Sequence, residues 1–252
     1  MENYINPISL FKQTNFSKTI WWKLKVNISG YQNETENNLV TEVFKNRIFK
    51  LIHPNCHNHI NKKKRVLVQF FEDGYICWID LNNLIIEKYD LKKEGIVKNE
   101  NSMIQKKIPL ILNWIKDQSK LKNRYLWGGT LGPNFDCSGL IQTAFFIHKI
   151  YIPRDAYQIK NFSKHLFNFN GSLQPLMQGD LLFFGNREKC DHVGIYKGNG
   201  FYYHSSGKEF GRDGIGLDTL NSTNDKISIH YKSKLISAGR VIRGYRWDKT
   251  IR

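Results

Sequence analysis

The rhythm of apolar and polar positions changes twice along this chain. Residues 1–18 are polar and carry no period, so an N-terminal arm is expected there. From Ile20 to about Leu84 the apolar residues come in short β-branched or aromatic runs. Trp21–Val26 alternates weakly, and Val43-Phe44, Ile48-Phe49, Leu51-Ile52 and Val66–Phe70 follow. Polar clusters at 33–38 and 55–64 separate these runs, and the turn Glu72-Asp73-Gly74 precedes another, Tyr75–Ile79. Strands this short and this dense predict a small β-barrel over residues 19–90. The charged, low-bulk stretch DLKKEGIVKNEN (Asp90–Asn101) then reads as a linker, placed at 91–103. Beyond it the period lengthens. Ile104, Ile108, Ile111, Leu112 and Ile115, with Trp114, recur at helical spacing and open a second domain, 104–252. Pro109 is expected in the first turns of that helix, where a missing N–H is tolerated. A second helix is expected from Cys137, burying Leu140, Ile141, Ala144, Phe145 and Ile147. The predicted fold class is α+β.

Composition narrows the picture. In 252 residues, 40% hydrophobic and 13% aromatic content is enough for a core and excludes wholesale disorder. The longest apolar run, near Leu140–Ile147, is broken by Gln142 and Thr143 and falls far short of the ~20 residues of a membrane span. The opening Met1-Glu2-Asn3-Tyr4 has no basic or apolar leader, so a cytoplasmic location and reduced cysteines are expected. The net charge of +16 raises nucleic acid as a partner. The excess is mostly Lys and is spread along the chain; its one dense run is Lys62–Arg65, and no base-reading motif accompanies it, so nucleic acid is not expected. His53, Cys56, His57 and His59 crowd one loop without a second spaced pair, so no metal is expected. Gly207–Gly216 is glycine-rich but lacks the GK[ST] ending, so no nucleotide cofactor is expected either.

The chemistry concentrates in the second domain. Tyr125-Leu126-Trp127-Gly128-Gly129 leads into a turn-rich loop and then Asp136-Cys137-Ser138-Gly139-Leu140. Cys137 at a helix N-terminus meets unpaired N–H groups and the positive end of the macrodipole, which favour a thiolate. The same N–H groups could bind an oxyanion. A nucleophile of this kind needs a base. His192 starts a strand (His192–Tyr196), a glycine turn follows, and Phe201–Ser206 returns with His204. With an odd loop centred on Gly198, His192 stands opposite His204, and Val193 and Ile195 face the core. An even loop would put the two rings on opposite faces. The odd register gives nucleophile, base and orienting group in the order Cys137, His192, His204.

These segments, with Arg154–Gln158, Gly179–Phe184 and His204–Gly207, resemble the NlpC-type, papain-like family of cell-wall peptidases over about residues 104–246. The preceding β-rich region resembles the bacterial SH3-like domain of the γ-D-glutamyl-L-diamino acid endopeptidases, and Gly207–Asp218 fits that subgroup. The resemblance implies a cysteine endopeptidase that cleaves the γ-D-glutamyl–diamino acid bond of small murein peptides with a free N-terminal L-Ala, through a thioester, in cell-wall recycling. It implies Cys137 as nucleophile, His192 as base, His204 as third member and Tyr125 as oxyanion support, with Asp136 and Ser138 lining the pocket for the substrate's amino end. A desolvated ammonium needs a carboxylate. The β-rich domain is expected to add a second one, Asp80 with Asp73 as the alternative, and Tyr75 is the nearest candidate for a substrate-contacting tyrosine. No cofactor is implied, and a monomer is favoured. The competing reading is a non-catalytic module that holds anionic wall polymer or nucleic acid through its basic surface.

Overall fold

The computed structural model describes residues 19–52, 65–82, 84–91, 100–168, 175–186 and 188–245. The N-terminal arm, the His53/Cys56/His57/His59 cluster, Lys62–Lys64 and most of the 91–103 linker lie outside the described residues. The chain divides into two units, whose described parts are 19–91 and 100–245. No described helix is long and apolar enough to cross a membrane.

The first unit is a single antiparallel sheet. Its strands are β1 (Trp21–Leu24), β2 (Ile28–Tyr31), β3 (Leu39–Val43), β4 (Ile48–Leu51), β5 (Arg65–Phe70), β6 (Ile76–Asp80) and β7 (Ile86–Tyr89). Alternate residues point inward: Val66, Val68 and Phe70 of β5 and Cys77 and Ile79 of β6 pack with Trp22, Leu24, Phe49 and Leu84. The order is β3-β2-β6-β5-β4-β1-β7, and among the described residues no pairing joins β3 to β7. The sheet is therefore not closed, and the small SH3-like β-barrel expected from sequence is not shown. β7 explains one open end: its central Glu87 and Lys88 are exposed, and charged side chains suit an edge strand.

The second unit combines helices α1 (Asn101–Lys120), α2 (Cys137–Phe146), α3 (Ala156–Phe162) and α4 (Lys226–Ser233) with β8 (Lys164–Asn168), β9 (Leu181–Gly185), β10 (Cys190–Gly198), β11 (Phe201–Ser206), β12 (Gly214–Thr219) and β13 (Leu235–Arg240). The strand order is β12-β11-β10-β9-β13-β8. One face of this sheet (Leu181, Phe183, Val193, Ile195, Tyr203) packs with α1, α2 and α3. Phe184, Tyr202, Leu182 and Ala238 form a smaller cluster with Tyr231 of α4. The architecture is α+β, as expected.

α1 buries the five residues its period singles out, Ile104, Ile108, Ile111, Leu112 and Ile115. It starts at Asn101, three residues before the expected boundary, so Pro109 lies inside the helix rather than in its first turns. Pro109 is on the exposed side, where water can hydrate the carbonyl its ring leaves unpaired. α2 is buried without a break from Cys137 to Phe145, so it has no polar face to show a period; Ile147, expected in the core, is 38% exposed. Close approach is what seats this helix. A Cβ on Gly139 would stand 2.1 Å from the backbone oxygen of Gly129. We expect Gly139→Ala to cost about 2 kcal/mol or more, because a backbone carbonyl cannot rotate away as a side chain can. Urea unfolding of the variant measures this; a midpoint equal to wild type would contradict the packing described.

Candidate active site

Cys137 is the first residue of α2, and Asp136 is its N-cap. The Asp136 carboxylate accepts from the N–H of Gly139 at 2.6 Å, closing the first turn, and from the N–H of Gly128 at 2.9 Å, pinning the loop before it. Arg154 completes the arrangement: Nη2 donates to Asp136 Oδ2 at 2.5 Å and Nη1 to Oδ1 at 3.1 Å, and Nη1 also reaches Ser138 Oγ at 2.9 Å. Ser138 Oγ in turn donates to Asp136 Oδ1 at 3.2 Å. All three side chains are buried. The sequence reading gave Asp136 and Ser138 to the substrate's amino end. In the structure both adjoin the sulfur, and their polar atoms are occupied by the donors that hold α2 and the 128 loop in place. Further ties set the loop's position: Ser205 Oγ donates to the Phe135 carbonyl at 2.7 Å, Thr143 Oγ1 to that of Thr130 at 2.8 Å, and Trp114 packs edge-on against Phe135.

The sulfur lies against β10. It is 3.9 Å from the Asp191 carbonyl oxygen and accepts from the N–H of Val193, so its backbone partners are the residues on either side of His192. It makes no hydrogen bond to the His192 ring itself, although such contacts are often long before substrate binds. Val193 and Ile195 are fully buried in the helix-facing core, as parity demanded.

The hairpin register differs from the expected one. Ile195 pairs with Tyr203 and Tyr196 with Tyr202, and a bulge falls between Tyr196 and Gly198. The turn is thus not centred on Gly198. His204 comes opposite Gly194, and His192 lies two residues farther along the same face. The shift keeps parity, so the two rings still meet, diagonally: His192 Nε2 and His204 Nδ1 are 2.7 Å apart. Gly194 leaves the room, since a Cβ there would come within 2.9 Å of Tyr202 Cδ2 and 3.4 Å of His204 Cβ.

The chain of hydrogen bonds continues past the expected triad. His204 Nε2 is 2.5 Å from Asp218 Oδ2, and Arg212 binds Asp218 Oδ1 through Nη2 and reaches Asp225 Oδ2 at 3.3 Å. Tyr231 of α4 stacks on His192 at 4.6 Å between centroids and stands edge-on to His204 at the same distance. Asp218, Arg212 and Tyr231 were given no role from the sequence. A signal for Asp218 was there: on β12 it shares the buried face with Gly214 and Gly216, and Gly216 pairs with His204.

Burial dominates the electrostatics. It pushes the Cys137 thiol up to about 12, helped by the Asp136 charge, and the N–H donors of Val193 and Ser138 offset this only in part. Burial thus works against the thiolate that the helix terminus favours: a helix N-terminus is worth roughly 0.3–2 kcal/mol, which desolvation of a buried anion can exceed. Burial, then His204, His230 and Lys234, hold His192 well below its ordinary 6.5. Burial also lowers His204, outweighing the hydrogen bond to Asp218. Both effects favour the neutral forms, a thiol beside two uncharged imidazoles. Tyr125 is raised by burial and next by the charges of Cys137 and Asp136.

The candidates of the first unit have other partners. Asp80 accepts from Arg65 Nε at 2.8 Å, and Arg65 also holds the carbonyls of Asn33 and Glu36 and covers the Tyr31 ring at 3.6 Å. Asp73 pairs with buried Arg47 at 2.6 Å and accepts from the N–H of Tyr75 at 3.0 Å. Tyr75 packs partly buried against the sheet core. Among the described residues no cluster of His, Cys, Asp or Glu could hold a metal ion.

Residues 122–231, within the second unit, match the model of the NlpC/P60 family. The chain is similar to the γ-D-glutamyl-L-lysine dipeptidyl-peptidase of Bacillus subtilis, with 40% identity over 84 residues, 32% of this chain and 27% of that protein. It is similar to the bifunctional muramidase/DL-endopeptidase CwlT of the same organism, with 34% identity over 121 residues, 46% of this chain and 32% of that protein. The chain thus spans about a third or less of the length of these relatives. It also overlays on the crystal structure of an NlpC/P60 family protein from Bacillus cereus, with TM-score 0.45 and 21% identity, over 95% of this chain and 67% of that one.

Proposed function

We propose that this chain is a cysteine endopeptidase that hydrolyses the γ-D-glutamyl–L-diamino acid bond of murein peptides with a free N-terminal L-Ala, in cell-wall recycling in the cytoplasm. The observation that carries the reading is the seat of the Cys137 sulfur, against the backbone on both sides of a histidine whose far nitrogen is engaged by a second histidine. The names of the relatives in Bacillus subtilis and Bacillus cereus, both γ-D-glutamyl-L-lysine dipeptidyl-peptidases, support the choice of bond.

Because His192 Nε2 faces His204, Nδ1 is the ring atom left for the thiol. Cys137 passes its proton to Nδ1 as the sulfur attacks the γ-carbonyl carbon of D-glutamate. The oxyanion forms beside the N-terminus of α2 and the Tyr125 hydroxyl. Collapse expels the diamino acid's amine, which takes the proton from His192 and leaves a thioester. Water, deprotonated by the same nitrogen, then releases L-Ala-D-Glu and restores the thiol.

A neutral resting pair fixes the pH profile. Activity needs His192 unprotonated and Cys137 protonated, so kcat/KM is expected to fall only below pH 6.5 and to stay level through pH 9. A preformed thiolate–imidazolium pair predicts the opposite at the alkaline end, where loss of the imidazolium proton would abolish activity; a decline before pH 9 would therefore reject the neutral pair. The function itself is tested by incubating the protein with free L-Ala-γ-D-Glu-diamino acid and, separately, with intact sacculi, followed by mass analysis. Release of L-Ala-D-Glu from the free peptide alone is the expected outcome. Digestion of sacculi would contradict the requirement for a free amino end.

A further inference from the structure

We propose that Asp218, clamped by Arg212, sets the proton positions on both imidazoles and so keeps Nδ1 of His192 bare, which makes it a positioning residue acting through His204. The inference deepens the peptidase reading and rests on it for its catalytic consequence. The argument is a count of donors and acceptors along one line of atoms. Arg212 has no lone pair to offer, and it grips Asp218 through Nη2 on Oδ1 and Nε at 3.4 Å from Oδ2. The carboxylate is ionised: burial alone would raise it, but its hydrogen bonds to His204 and Arg212 bring it below its ordinary value. An ionised carboxylate only accepts, so His204 must carry its proton on Nε2, 2.5 Å away.

The rest follows ring by ring. Neutral His204 with its proton on Nε2 has a lone pair on Nδ1. That nitrogen is 2.7 Å from His192 Nε2, so His192 donates there and keeps its own proton on Nε2. Neutral His192 then has its lone pair on Nδ1. Reversing Asp218 reverses every step: a donor at that position would put a proton on His204 Nδ1, then on His192 Nδ1, where it blocks transfer from the thiol. When His192 takes the thiol proton it becomes an imidazolium, and the fixed negative charge beyond His204 stabilises it without accepting a proton.

The fold is built for this line. β11 presents His204 between two glycines, Gly194 on β10 and Gly216 on β12. A Cβ on Gly216 would come 3.0 Å from Arg212 Cδ, so that glycine clears the path of the clamping side chain. Other charged or titratable groups face these rings: His230 and Lys234 act on His192, Tyr231 packs on both imidazoles, and Arg212, Asp225 and Tyr202 surround Asp218. Of these only Asp218 accepts a hydrogen bond from a ring nitrogen of the pair.

The test is nitrogen-15 NMR of histidine-labelled protein, which reports which ring nitrogen carries the proton. Wild type is expected to show both His192 and His204 protonated on Nε2. Asp218→Asn can turn its amide N–H₂ toward His204, and is expected to move the His192 proton to Nδ1 and lower kcat on the order of 10³- to 10⁴-fold, with KM little changed. A His192 proton on Nδ1 in wild type overturns the proposal, and that spectrum needs no variant to fold. An unchanged tautomer in a folded Asp218→Asn protein overturns it as well. If wild type shows the expected tautomers yet cleaves no murein peptide, the peptidase reading fails and the tautomer assignment stands.

Discussion

Cys137→Ala is expected to abolish the proposed hydrolysis of L-Ala-γ-D-Glu-diamino acid, by on the order of 10⁴-fold or more, and to leave the peptide able to bind. The size follows from the mechanism. Without the sulfur the proposed thioester route is gone, and only general positioning of the peptide remains. The replacement is small and Cys137 is 6% exposed, so the variant keeps the packing of the α2 terminus. His192→Ala is expected to cost nearly as much, and the double variant little more than either alone, because residues that act as a unit are not additive. Turnover followed by mass analysis, with binding followed by calorimetry, separates chemistry from recognition. A polymer-binding module behaves otherwise: wild type would show no turnover, the two variants would match it, and neutralising Lys62–Arg65 would be the change that matters.

Arg154→Met destabilises the second unit by about 3–5 kcal/mol and lowers its thermal midpoint by about 10 °C. Arg154 is 2% exposed and Asp136 is 6% exposed, so removing the guanidinium leaves a carboxylate with no water to replace it. The same carboxylate caps α2 and holds the 128 loop, and the loss spreads from the ion pair to the seat of the nucleophile. Pairing Arg154→Met with Asp136→Asn should recover only part of the loss: the amide removes the buried charge and still accepts from Gly139, but its N–H₂ then faces the N–H of Gly128. Near-UV circular dichroism on heating measures both variants. A midpoint within 2 °C of wild type for Arg154→Met would show that the pair is not what holds this region.

What the sequence allowed to be read, and what it hid, divides by the range of the interactions. The five buried positions of α1, the start of α2 at Cys137, and the inward Val193 and Ile195 all follow from local period and parity, and the structure has them so. The pairing of His192 with His204 was also legible, because parity decides which face a side chain takes. The register was not: the bulge between Tyr196 and Gly198 moves His204 opposite Gly194 without changing its face. Asp218, Arg212 and Tyr231 reach the imidazoles only through the pairing of β11 with β12 and the packing of α4, which no short window contains. The burial that opposes ionisation of Cys137 was hidden for the same reason. A helix terminus is visible in sequence, but the burial that outweighs it is a property of the folded whole. In the first unit, strand-forming runs were visible, yet alternation does not say whether the ends of a sheet meet, and among the described residues no pairing joins β3 to β7.

The central claim is that Cys137 carries the γ-D-glutamyl group during turnover. Acid quenching within the first turnover, followed by intact-mass measurement and peptide mapping, tests it most directly. The account predicts an added mass equal to L-Ala-D-Glu less one water, located on Cys137 and absent from Cys137→Ala. Turnover with no covalent adduct under any quench time, or an adduct on another residue, would contradict it.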